Sequence, residues 1–245
     1  MDRPPGRTRS AVWPPILFAH RGASGRAPEN SLAAFRLAVA LGATGLETDA
    51  WLSADGVPVL SHDRTYRRPG RRPFVRRSTA AALAQDGIPS LADLYAAVGP
   101  GLPLSVDLQH PEVALPVLEI ARAAGAIDRL YACSGDLALL RRVRAASRDV
   151  GVVHSTRARR VTGGLTKRMA VLASIGVDVL NMPWRDWTPE LVDAARGAGL
   201  RPWAWDAHTA HGVERALDLR VDALYSDHPD LLVAALAVRG GSPTT

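Results

Sequence analysis

Short apolar runs alternate with amphipathic stretches along almost the whole chain, and this alternation limits the folds open to it. The strand candidates are ILFAH, GLETDAWL, VPVLSH, PLSVDL, RLYACS, VGVVHS, DVLNMP, RPWAWD and DALYSD. Helical segments fit between most of them. NSLAAFRLAVALGA opens with Asn30 or Ser31 as cap and closes at Gly42, and PSLADLYAAVG runs from Pro89-Ser90 to Gly99. TPELVDAARGAG has Thr188 as cap, Pro189 in its first turn and Gly199 at its end. EVALPVLEIARAAG, GDLALLRRVRAAS, LTKRMAVLASIG and HGVERALDL fill further gaps. Repeated strand–helix units predict a parallel sheet covered by helices.

Nine strands are one too many for a closed eight-stranded barrel. Only SADG separates GLETDAWL from VPVLSH. Asp55-Gly56 is a hairpin signal, and four residues leave no room for a crossover helix. VPVLSH is therefore expected to fold back antiparallel on the end of GLETDAWL, which leaves eight parallel strands. The 245 residues suit a (β/α)8 TIM barrel, which takes about 250. No Gly-rich nucleotide loop follows the first strand, which argues against an open doubly wound sheet. The expected organisation is one barrel over residues 16–238 with a hairpin and loop insertion at about 51–88. An extension over 1–15 precedes it and a tail over 239–245 follows.

The net charge is +6, and Lys167 is the only lysine, so arginine carries nearly all the positive charge. Seven arginines fall between Arg64 and Arg77, in RTYRRPGRRPFVRR. A basic flap of this kind attracts anions, and a transient contact with a membrane surface is one reading of it. The reading preferred here is a solvated loop. No nucleic-acid-binding spacing accompanies the run, so a nucleic-acid partner is not expected. The single Cys133 excludes an intramolecular disulfide. The N-terminal residues lack the apolar core of a signal peptide, and no run approaches the length of a membrane helix. Together these predict a cytoplasmic protein.

In a (β/α)8 barrel the active site lies at the C-terminal ends of the strands. Here those ends carry His20, Glu47 with Asp49, Asp107, Ser134, His154, Asn181, Asp206 and Asp227, and the hairpin adds His62 and Asp63. Glu47 and Asp49 are two apart on a strand and share a face. If that face is the interior, burying both is expensive without a cation. Asp107 adds a third acid. Three oxygen donors without paired cysteines suit Mg²⁺ or Ca²⁺, with Mn²⁺ as a further candidate, better than zinc.

The segments FAHRG, APENSLAAF, GLETDAWLSADGVPVLSHD and IPSLADLYAAV resemble the glycerophosphodiester phosphodiesterase family. RPWAWD and DALYSDHPD are similar to that family's closing segments. The resemblance implies a (β/α)8 barrel that hydrolyses glycerophosphodiesters to glycerol 3-phosphate and an alcohol. It implies one divalent cation on Glu47, Asp49 and Asp107, and proton exchange by His20 and His62, with His20 as base and His62 as acid. It also implies phosphate binding by Arg21, with Glu29 in support. Trp205, Asp206 and Gln109 fall at substrate-contacting positions. Two of these depart from the family pattern. Glu-x-Lys becomes Asp107-x-Gln109, which loses a positive charge near the phosphate, and an asparagine becomes Asp206, which adds a negative one. Asp206 then requires a metal or an arginine to neutralise it, or a substrate hydroxyl to bind. The alternatives are a phospholipase D-like action on lysolipid or sphingolipid and a barrel that binds phosphodiesters without turnover.

Overall fold

The computed structural model describes residues 13–240. Residues 1–12 of the expected extension and 241–245 of the expected tail lie outside the described residues. The strands are β1 (Ile16–Ala19), β2 (Gly45–Leu52), β3 (Pro58–Leu60), β4 (Leu104–Leu108), β5 (Leu130–Ser134), β6 (Gly151–Ser155), β7 (Val179–Pro183), β8 (Arg201–Trp205) and β9 (Ala223–Ser226). They run in the order β1-β9-β8-β7-β6-β5-β4-β2-β3, and β1 also pairs with β2. The β1–β2 pairing closes eight parallel strands into a barrel. β3 lies outside the ring, antiparallel on the end of β2, with Ala50 opposite Leu60 and Leu52 opposite Pro58. Gly56 turns the connection at φ 80°, a region glycine enters without steric cost.

The helices are α1 (Leu32–Ala40), α2 (Ala80–Gln85), α3 (Leu91–Val98), α4 (Ala114–Ala123), α5 (Leu137–Ala146), α6 (Leu165–Ser174), α7 (Pro189–Gly197), α8 (Ala210–Asp218) and α9 (Pro229–Val238). Ser31 caps α1, accepting from the Ala34 N–H, which leaves Asn30 free for another task. Ser90 and Asp93 form a capping box on α3, and Thr188 accepts from the Leu191 N–H at the start of α7. α2 and α9 carry no periodic signal. The first is too short, and the second, PDLLVAALAV, is apolar almost all round.

Side chains alternate across the barrel wall. Phe18, Cys133, Val153, Val179, Trp203, Ala223 and Tyr225 fill the interior. Phe18 stacks on Tyr225 with ring centroids 4.7 Å apart. The intervening residues, such as Val106, Ala132, Val152 and Leu180, pack outward among the helices. The insertion has its own small core of Val59, Val75 and Leu83, with Trp51 and Tyr66 packed against it.

This alternation corrects two of the expected mouth residues. Val153 points inward, so its neighbour His154 points out, toward the helices. Cys133 likewise takes the inward place on β5, and the Ser134 hydroxyl accepts from the Asp136 N–H before α5. His154 is 2% exposed. Burial and the Arg168 charge push its pKa down to about 4. Between the ordinary value of 6.5 and about 4, the unfolded chain binds a proton that the folded chain refuses. Stability therefore falls as pH drops through that window, by about 3 kcal/mol in all. Melting temperatures measured against pH are expected to show this slope, and His154→Leu is expected to flatten it.

Candidate active site

The three acids do converge. Glu47 and Asp49 leave the inward face of β2, and Asp107 stands beside Asp49 in the β2–β4 register. One carboxylate oxygen of each lies within 4.8 Å of the others. Glu47 is 3% exposed and Asp49 is 2% exposed. Burial, reinforced by Asp49 and Asp107 and opposed by His20, pushes Glu47 up to about 8. Burial and Asp49 raise Asp107 in the same sense. Such a set resists full ionisation on its own, and hard oxygen donors at this spacing fit a divalent cation.

Neighbouring amides and one arginine orient Asp49. Its Oδ1 accepts from Gln109 Nε2 at 2.7 Å and its Oδ2 from Asn30 Nδ2 at 3.1 Å. Arg21 Nε stands 3.2 Å from the same Oδ2. The Asn30 carbonyl accepts from the Thr48 hydroxyl at 2.7 Å, which fixes the direction of the amide. Gln109 thus holds the Asp49 carboxylate. Asn30, read from the sequence as one of two helix caps, is a buried brace for Asp49.

His20 and Arg21 sit where β1 turns toward α1. Arg21 and Asn30 both have φ 55°, in the left-handed region that costs a non-glycine residue energy. The Asn30 N–H donates to the Arg21 carbonyl at 3.0 Å and ties the two strained residues together. Gly22 lets this loop pass α1, since a Cβ there would stand 2.7 Å from the backbone of Ala34. The Arg21 N–H donates to Glu47 Oε2 at 2.8 Å, and its guanidinium donates to Glu29 Oε2 at 2.7 Å. Glu29 therefore touches Arg21.

Asp227 holds His20 from the closing strand. Its Oδ1 lies 2.6 Å from His20 Nδ1 and accepts from the Ser24 hydroxyl at 2.9 Å. With Nδ1 engaged in this way, Nε2 is the free ring nitrogen, 3.9 Å from Glu47 Oε2. Burial lowers the pKa of His20, but Glu47 and the Asp227 hydrogen bond outweigh it, for a result of about 9. A cation on Glu47 would withdraw one of the two raising influences and favour the neutral imidazole. His208 adds a second histidine beside Asp227, its Nδ1 accepting from the Asp227 N–H at 3.1 Å. The sequence puts Asp227 at a strand end but does not pair it with His20, and it does not single out His208. Closure of β9 onto β1 was the available signal for that pairing.

His62 stands apart from this cluster. It lies on the exposed rim after β3, with Nδ1 3.0 Å from Asp63 Oδ1. The Ser61 N–H donates to the Asp49 carbonyl at 3.0 Å, which ties the end of β3 to the acid-bearing strand. Trp205 packs on top of the interior cluster, on the same face of β8 as Trp203. Asp206 follows it at φ 71°, and its Oδ2 accepts from Arg185 Nη1 at 3.1 Å. An arginine thus supplies the neutralisation that Asp206 requires.

Comparison with known proteins places this geometry in a group. A family model described as the glycerophosphoryl diester phosphodiesterase family matches residues 20–231. A glycerophosphodiester phosphodiesterase of Caldanaerobacter subterraneus subsp. tengcongensis is 25% identical over 248 residues, 92% of this chain and 99% of its own length. The crystal structure of glycerophosphodiester phosphodiesterase from Thermotoga maritima is similar with a TM-score of 0.79 at 26% identity, covering 89% of this chain and 97% of that one. An Oleispira antarctica phosphodiesterase, solved with the product sn-glycerol-3-phosphate, shares the fold with a TM-score of 0.79 at 23% identity, covering 91% of this chain and 97% of that one.

Proposed function

The chain belongs to the glycerophosphoryl diester phosphodiesterase family and is a phosphoric diester hydrolase; from that premise we propose that it hydrolyses glycerophosphodiesters to glycerol 3-phosphate and an alcohol, with one divalent cation and two histidines. The observation that carries this reading is the meeting of His20, Arg21, Glu47, Asp49 and Asp107 at the C-terminal mouth of the barrel.

Glu47, Asp49 and Asp107 would hold the cation. A cation held there would supply charge stabilisation to the phosphoryl oxygens. Arg21 faces the same oxygens. Its fork is preorganised by Glu29 and Asp49, and a planar guanidinium matches two phosphate oxygens at once. Hydrolysis forms one P–O bond from water and breaks the P–O bond to the alcohol. His20 takes the proton from the attacking oxygen at Nε2, and Asp227 stabilises the resulting imidazolium. His62 gives a proton to the departing alkoxide.

Phosphorus NMR of the purified chain with a panel of glycerophosphodiesters and lysolipids, with and without chelator, tests the reading. Glycerol 3-phosphate is the expected product, formed only when cation is present. Release of a cyclic phosphate or of a lysolipid product instead would favour the phospholipase D-like alternative.

The arginine-rich insertion contributes less than its charge suggests. Arg68 pairs with Asp86 and Arg76 with Glu112, while Arg64 and Arg77 lie over the Phe74 ring. Several of its arginines are thus occupied in folding the flap, which supports the solvated-loop reading. Neutralising Arg67, Arg71 and Arg72 together is expected to change binding to anionic vesicles only modestly, with added salt mimicking the change. A large loss in a vesicle-sedimentation assay would make the flap a lipid contact.

A further inference from the structure

The geometry points to Arg157, stacked on Trp205 at the barrel mouth, as an anion-binding side chain that selects diesters whose alcohol group carries a carboxylate or another negative charge. This rests on the hydrolase reading above and deepens it to a substrate class.

Arg157 follows β6, and its Cζ lies 4.4 Å from the centroid of the Trp205 ring. Trp205 is the last residue of β8 and packs on the interior cluster, so the stack borders the mouth. β8 faces β4 across the ring of eight strands, which puts this wall opposite Asp107. The backbone around Arg157 is pinned on both sides. The Thr156 N–H donates to the Asn181 carbonyl at 3.0 Å, and the Ala158 N–H donates to Asp186 Oδ2 at 2.7 Å.

Charge on this wall is unbalanced. Arg185 and Asp206 offset each other at 3.1 Å. The Arg157 guanidinium has no carboxylate or hydrogen-bond acceptor among the described residues. A half-buried, stacked guanidinium with its N–H groups unused presents a rigid fork, the arrangement that binds carboxylate or phosphate oxygens bidentately. With the cation acids and Arg21 taking the scissile phosphate on one side, the free fork on the other meets the alcohol group. The same stack covers the aromatic face that a quaternary ammonium would otherwise use. Choline diesters thus lose a cation–π partner and meet a like charge.

Glycerophosphoserine and glycerophosphoethanolamine differ by one carboxylate and isolate this effect. Titration calorimetry is run on the cation-loaded full chain carrying His62→Ala, in which turnover is slowed so that binding can be read. Glycerophosphoserine is expected to bind about ten- to a hundredfold more tightly than glycerophosphoethanolamine, the range for a hydrogen-bonded charge pair. Glycerophosphocholine is expected to bind most weakly of the three. Arg157→Gln is expected to erase the serine preference without weakening ethanolamine binding, and Arg157→Lys to keep part of it. Equal binding of the serine and ethanolamine diesters, or no measurable binding of the serine diester, overturns the proposal. Equal weakening of all three ligands by Arg157→Gln also overturns it, since Arg157 then contacts the phosphate they share. Failure of the hydrolase reading is separate: it is an absence of turnover by the unsubstituted chain in the NMR panel.

Discussion

Replacing His20 with alanine is expected to lower turnover by about 10²–10⁴-fold, the contribution typical of a general acid or base. The change removes no core volume, because the His20 side chain is about a quarter exposed (27%) and lies at the end of β1. The circular dichroism spectrum is therefore expected to stay close to that of the unsubstituted chain, while the melting temperature falls because Glu47 and Asp227 lose the imidazolium beside them. His62→Ala is expected to cost a similar factor. Combining the two should cost much less than the product of the single losses, since groups that act in one reaction are non-additive. Near-normal turnover by a folded His20→Ala protein would move the barrel to the binding-only alternative.

Removal of the cation is expected to be as severe. Exhaustive chelation should abolish hydrolysis, and Mg²⁺, Mn²⁺ or Ca²⁺ should restore it. Asp49→Ala should lower turnover by about 10³-fold or more, given the several kcal/mol a metal contributes to charge stabilisation. A second readout does not depend on activity. Three acids that crowd one another should gain stability from a bound cation, so the melting temperature should rise with cation concentration. Glu47→Gln should reduce that rise. Full turnover after chelation, with no thermal response to any of the three cations, would remove the metal site.

The two expectations meet at one residue. Glu47 is a candidate cation ligand, it accepts the Arg21 N–H, and it lies 3.9 Å from His20. The state of the cation site and the protonation of His20 are therefore linked through a single carboxylate. A substitution at Glu47 is expected to shift the pH profile of turnover as well as its magnitude.

Much of this was legible in the chain. The strand–helix alternation specified a parallel sheet because each period buries a different face. The four-residue SADG junction excluded a crossover helix by length alone, which identified β3 as the strand outside the ring. The spacing of Glu47 and Asp49 placed both on one face because strand side chains repeat every two residues. Local chemistry of this kind needs no knowledge of distant segments.

What tertiary structure decided are the matters of phase and closure. A strand-end residue points into the mouth or away from it according to where the strand starts in the barrel, and one residue of offset turned Ser134 and His154 outward. Closure brought β9 beside β1 and so put Asp227 on His20, 207 positions away in the chain. It also set Asn30 against Asp49, Arg185 against Asp206 and Arg157 on Trp205. These partners come from different strand ends, and their identities follow from the ring of strands rather than from any local run. The sequence by itself determined which chemical groups the barrel would present, because strand period and turn length are short-range. Only the closed barrel decided which of those groups touch, because contact across the mouth depends on the register of all eight strands together.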